Sequence, residues 1–102
     1  MVEISQEQLI SNIRASVLEQ CENIKLIYLF GSHAHGQANS ESDIDIAIFG
    51  KTKFDPIVRW QMQNELANIL KIDVDLIDLL SASTVMQNQV IHHSMCIHDA
   101  EN

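Results

Sequence analysis

An α+β domain with its elements in the order αβ(α)βαβα is expected from three observations. Two apolar runs, Ile24 to Phe30 and Ile44 to Phe49, flank a polar stretch of small residues. A third run, Asp73 to Leu79, alternates with the period of two that marks a strand. Around these lie segments whose apolar residues recur at helical spacing behind helix-capping residues.

Ser5 opens the first helix with a capping-box pattern, Ser5 and Gln8, and Leu9, Ile10, Ile13, Val17 and Cys21 form its apolar stripe. Leu26 to Phe30 is a short continuous strand that stops at Gly31. Between Gly31 and Ser42 at most one helical turn is expected, near Ser32 to Gly36. In the second strand Ile44, Ile46 and Ile48 alternate with Asp43, Asp45 and Ala47, giving one greasy and one acidic face. Gly50 to Lys53 makes a turn, after which Asp55 and Pro56 supply an N-cap and a proline at the first helical position. That helix should reach about Leu70, with Val58, Met62, Leu66 and Ile69 inward and Trp60 opposite, beside Ile57 and Asn64. The third strand sets Asp73, Asp75 and Ile77 on one side and Val74, Leu76 and Asp78 on the other. Ser81 to Ser83 cap a last helix to about His93, and Cys96 to His98 suit a short closing strand. A mixed sheet with one layer of helices follows, the helix between the second and third strands allowing a right-handed parallel crossover. The direction of the link between the first two strands stays open.

A chain of 102 residues predicts one domain, over 1–102, with room for a modest core. No apolar run nears the ~18 residues of a membrane span, and the acidic N-terminus (Glu3, Glu7) is unlike a signal peptide. Two isolated cysteines, Cys21 and Cys96, point to a reducing cytoplasm. Fourteen acidic against six basic residues, a net charge of −8, disfavour direct binding of RNA or DNA and favour a nucleotide ligand and a protein partner.

The chemistry lies in Gly31-Ser32, followed after ten residues by Asp43-Ile44-Asp45. A glycine ends its strand where backbone must approach a ligand, and Ser32 offers a hydroxyl and an N–H to phosphate oxygens. Asp43 and Asp45 share a strand face, and Asp75 can join them if the sheet faces agree. Three adjacent carboxylates need a cation between them, and Mg2+ suits an all-oxygen set completed by water and phosphate. Two such ions would serve nucleoside triphosphate chemistry. An isolated Asp-x-Asp is usually a solvated strand face, and an isolated Gly-Ser is usually a turn; their spacing here sets both readings aside. His92, His93, Cys96 and His98 match no zinc spacing and read as surface histidines with a packed cysteine. His33 stands beside the phosphate loop, Tyr28 and Phe30 suit the core, and an exposed Trp60 with Ile57 suggests an interface.

Phe30-Gly31-Ser32, Asp43-Ile44-Asp45 and Val74-Asp75-Leu76-Ile77 together resemble the minimal nucleotidyltransferase (MNT) branch of the DNA polymerase β-like superfamily, over nearly the whole chain. The resemblance implies a small nucleotidyltransferase fold, triphosphate binding by Gly31 and Ser32, metal binding by Asp43 and Asp45, and nucleophile activation by Asp75, with Asp73 the weaker substitute. Length, the acidic third strand and the following Ser81-Ala82-Ser83 are similar to antitoxins of HEPN–MNT toxin–antitoxin pairs. Such a resemblance implies Mg2+-dependent transfer of AMP from ATP to a tyrosine of a cognate HEPN ribonuclease toxin, in a hetero-oligomer. A binding-only antitoxin acting by occlusion and a small-molecule nucleotidyltransferase are the alternatives. Two departures stand out. His35 replaces an arginine of many relatives, and histidine carries little charge at neutral pH; a second, acceptor-binding domain is not expected within these residues.

Overall fold

A computed structural model describes residues 5–31 and 43–100. Among these described residues are three helices, α1 (Gln6–Gln20), α2 (Pro56–Leu70) and α3 (Thr84–His93), and four strands, β1 (Ile24–Phe30), β2 (Ile44–Gly50), β3 (Val74–Asp78) and β4 (Met95–Asp99). The sheet order is β3-β2-β1-β4. β1 runs antiparallel to β2 and to β4, whereas β2 and β3 are parallel, as the α2 crossover requires. The sheet is mixed, and β1 and β2 turn out to be antiparallel.

The caps form largely where the sequence puts them. Ser5 Oγ accepts from the Gln8 N–H at 3.1 Å, but Gln8 turns its amide to Asn12 rather than back to the cap, so half of the capping box is made. Asp55 accepts from the N–H groups of Ile57 and Val58, and Ser83 from that of Met86. Lys71 ends α2 in the left-handed region, φ 60°, with its N–H on the Ala67 carbonyl.

Helices cover both faces of the sheet, which corrects the single layer expected. Ile27, Leu29, Ile44, Ile46, Ile48, Val74 and Leu76 face α1 and α2 in the main core. On the other face, Met86 and Val90 of α3 pack over Tyr28, Phe30, Ala47, Phe49 and Ile77. Only the leading end of that face is acidic; from Ala47 onward β2 is apolar on both sides because α3 lies over it.

In α2 the buried line is Met62, Leu66 and Leu70. Val58 and Ile69, expected inward, are 44% and 48% exposed. Steps of four residues advance about 40° around a helix, so the buried line drifts and leaves both on its shoulder. The opposite shoulder faces β3. There Gln63 accepts the Leu76 N–H at 3.0 Å, while Arg59 Nη1 donates to the Leu76 carbonyl at 2.9 Å and to Gln63 Oε1 at 3.3 Å. This pair occupies the outward N–H and carbonyl of Leu76 on an edge strand, where another chain could otherwise pair.

Tyr28, the single tyrosine of the sequence, has its pKa raised from the ordinary 10.0, first by burial and then by the nearby Cys96 and Asp99. The unfolded chain therefore loses this proton before the folded one does. The associated stability is intact below pH 10.0 and is lost as pH climbs through the higher folded value. An ultraviolet phenolate titration should accordingly show one midpoint above 10.0, falling to the ordinary value in denaturant.

Candidate active site

Three neighbouring strands bring the acidic residues to one end of the sheet. In register, Phe30 faces Asp45 across the β1–β2 ladder, and Asp45 faces Asp75 across the β2–β3 ladder. Register partners on adjacent strands share a face, so Asp45 and Asp75 project together, on the side that α3 covers farther along. Asp43 is exposed immediately before β2, and period two places it on that side as well. The Asp73 carbonyl accepts the Ile44 N–H at 2.9 Å, which holds the entrance of β3 against that of β2. Asp73 itself lies before β3 begins.

Gly31 ends β1 with φ 74°, where a side chain is strained. A Cβ built there would collide with Asp45 Oδ2, its nearest neighbour. Glycine is thus required twice, by conformation and by the carboxylate against it. Gly31→Ala should consequently cost roughly 1–3 kcal/mol of stability and displace Asp45. Chemical denaturation paired with an activity assay would read both losses.

Asp78 plays another part. It is buried on the opposite side of β3, where its carboxylate accepts from the Phe54 N–H (2.8 Å), the Leu80 N–H (3.1 Å) and Ser81 Oγ (3.0 Å). It is a loop tie, as its position in the alternation requires.

Ser32, His33 and His35, and the helical turn expected at 32–36, lie outside the described residues. Among the described residues, no three His, Cys, Asp or Glu side chains are gathered as a closed metal-ligand set. His92 and His93 end α3, and Cys96 on β4, expected to be packed, is exposed. Among the described residues the donors at the sheet end are nevertheless carboxylates, and Asp45 and Asp75 stand on strands about 4.8 Å apart. Two carboxylates that share a face on neighbouring strands repel each other unless a cation stands between them. A hard divalent cation fits that arrangement, and the missing Cβ of Gly31 keeps Asp45 Oδ2 free of a clash.

A family model described as "Polymerase beta, Nucleotidyltransferase" matches residues 12–102. The chain belongs to the polymerase β nucleotidyltransferase family. The chain is 41% identical to protein adenylyltransferase MntA of Shewanella oneidensis, over 89% of its own length and 63% of that relative's. It spans, that is, less than two thirds of the curated relative. Among solved structures it is similar to a chain of a toxin–antitoxin complex with AMP-PNP, at 38% identity and TM-score 0.86 over 90% of this chain and 74% of that one. It is also similar to a chain of the tri-AMPylated Shewanella oneidensis HEPN toxin in complex with MNT antitoxin, at 36% identity and TM-score 0.81, covering 95% and 75%. A minimal nucleotidyltransferase structure at 18% identity and TM-score 0.74 shares the fold. The family likeness and the α+β architecture read from the sequence are both borne out.

Sequence reasoning missed Arg59 and Gln63. Both sit on the shoulder of α2, and their partner is the backbone of Leu76, for which no side-chain pattern exists. No helix among the described residues is long and apolar enough to cross a membrane.

Proposed function

We infer that this nucleotidyltransferase transfers AMP from ATP to a tyrosine of a partner protein, a HEPN-family ribonuclease toxin, and thereby silences it. The observation that carries this reading is the register of Asp45 with Asp75 beside Gly31, in a chain 41% identical to a protein adenylyltransferase. Residues 1–102 act as one nucleotidyltransferase domain in this reading, working in the cytoplasm as part of a hetero-oligomer.

Gly31 and Ser32 would hold the triphosphate at the end of β1, with backbone rather than a side chain nearest the phosphates. Asp43, Asp45 and Asp75 would hold Mg2+, two ions in this proposal, which when bound neutralises phosphate charge and makes a coordinated hydroxyl more acidic. Asp75 would take the proton of the acceptor phenol, whose ordinary pKa near 10 otherwise keeps it neutral. The phenolic oxygen then bonds to the α-phosphorus as the bond from that phosphorus to the bridging oxygen breaks. Pyrophosphate leaves and AMP remains on the tyrosine. Trp60 and Ile57, 56% and 66% exposed on α2, support a protein partner.

The test combines the protein, labelled ATP, Mg2+ and the product of the neighbouring reading frame, followed by intact mass. One or more AMP units should appear on the neighbour. An unmodified neighbour that is nonetheless silenced would replace this reading with inhibition by occlusion.

A further inference from the structure

Beyond the open edge of β3 lies a cleft of about 290 Å³, lined by Phe54, Pro56, Arg59, Asp75, Ile77 and Ala82 among others. We propose that this cleft seats the acceptor side chain, a phenol presented by a protein, with its hydroxyl at Asp75. The proposal rests on the adenylyl-transfer reading above and adds where and how the acceptor enters.

Strand order supplies the first support. Gly31 is on β1, Asp45 on β2 and Asp75 on β3, and the cleft lies beyond β3. The cleft follows β3 from its trailing end, where Phe54, Asp78 and Ala82 stand, and reaches the acids at Asp75, on the side of Asp45 away from Gly31.

The lining supplies the second. Phe54, Pro56, Ile77 and Ala82 give apolar walls for a ring, and Asp75 gives one carboxylate for a hydroxyl proton. At about 290 Å³ the space suits a single side chain with some backbone. The pocket is also braced. Asp78 ties Phe54 to Leu80 and Ser81, while Arg59 hydrogen-bonds to Leu76.

The third is an excluded alternative. An extended acceptor segment could have paired with β3 as an added strand, but Gln63 and Arg59 already take the outward N–H and carbonyl of Leu76. An acceptor that enters end-on, as one side chain, needs no such pairing. In this arrangement Arg59 and Gln63 are positioning residues: they hold the strand that carries Asp75 and keep the cleft open.

Two fillers from different segments of the lining test this, Ala82→Phe and Pro56→Trp. Pro56 is exposed at the start of α2, where a larger side chain is accommodated, and melting curves verify both folds. Initial rates of AMP transfer to the neighbouring gene's product and AMP-PNP affinity are measured for each. The expected result is a rise of about tenfold or more in the acceptor KM, with AMP-PNP affinity within about twofold of wild type. Wild-type transfer kinetics in a folded filler would overturn the proposal. An equal loss of AMP-PNP binding would also overturn it, assigning the cleft to the nucleotide. Absence of transfer by the wild-type protein would instead remove the adenylyl-transfer reading itself, and this proposal with it.

Discussion

Asp43→Ala/Asp45→Ala should abolish AMP transfer while leaving the protein folded. Both side chains stand at the leading end of β2, one exposed and one half-buried, so their loss empties no core position. Their proposed part is to hold the cation against the triphosphate, and without it the phosphate charge is unopposed as the bond to the α-phosphorus forms. A fall of at least ~10³-fold is expected, about 4 kcal/mol of barrier. Removing like charges from beside Asp75 should leave the melting temperature unchanged or raised. Intact-mass counting of AMP on the partner, with a melting curve for each protein, tests both halves. Near-wild-type transfer by the double variant would exclude these carboxylates from the reaction.

Asp78→Ala should be the most destabilising change at any acid of the third strand. The substitution strips three donors of their acceptor: the amides of Phe54 and Leu80 and the hydroxyl of Ser81. An orphaned donor costs about 1–3 kcal/mol when buried; these three bonds are part-buried, so a loss of about 3 kcal/mol in all is expected. For a domain of this size that corresponds to roughly 12–24 °C in melting temperature. Asp78→Asn keeps one acceptor oxygen and should fall between. Asp75→Ala, three positions back on the exposed side, should cost almost no stability yet remove the proposed proton acceptor. Denaturant titrations of the three variants, with transfer assays, would separate a structural acid from the proposed catalytic one within five residues of strand.

That contrast was legible in the sequence. Alternation in Val74–Asp78 put Asp75 and Asp78 on opposite faces before any coordinates, because a strand's period of two is a local property. The caps at Ser5, Asp55 and Ser83 were equally legible, since a side chain and an amide two or three residues on are all a cap needs. The inward face of α2 was misjudged at Val58 and Ile69. Helical spacing alone does not say which shoulder of an apolar stripe meets a neighbour, and here α2 packs against α1 and β3 at once.

Local chemistry therefore settled the inventory: a glycine ending one strand, acids opening the next, a third acid on a further strand, and the helices between them. Folding settled the distances. The pairing of Asp45 with Asp75 depends on the register of strands joined by the whole of α2, and a slip of one residue would have turned Asp75 to the other face. The collision awaiting a Cβ at Gly31 depends on β1 and β2 running antiparallel, a direction the intervening residues left open. The Arg59–Gln63 clip and the cleft beside Asp75 likewise arise only where a helix shoulder meets a strand edge. Such features have no sequence signature because backbone groups, identical in every residue, become distinctive only when long-range packing decides which of them are left without a partner.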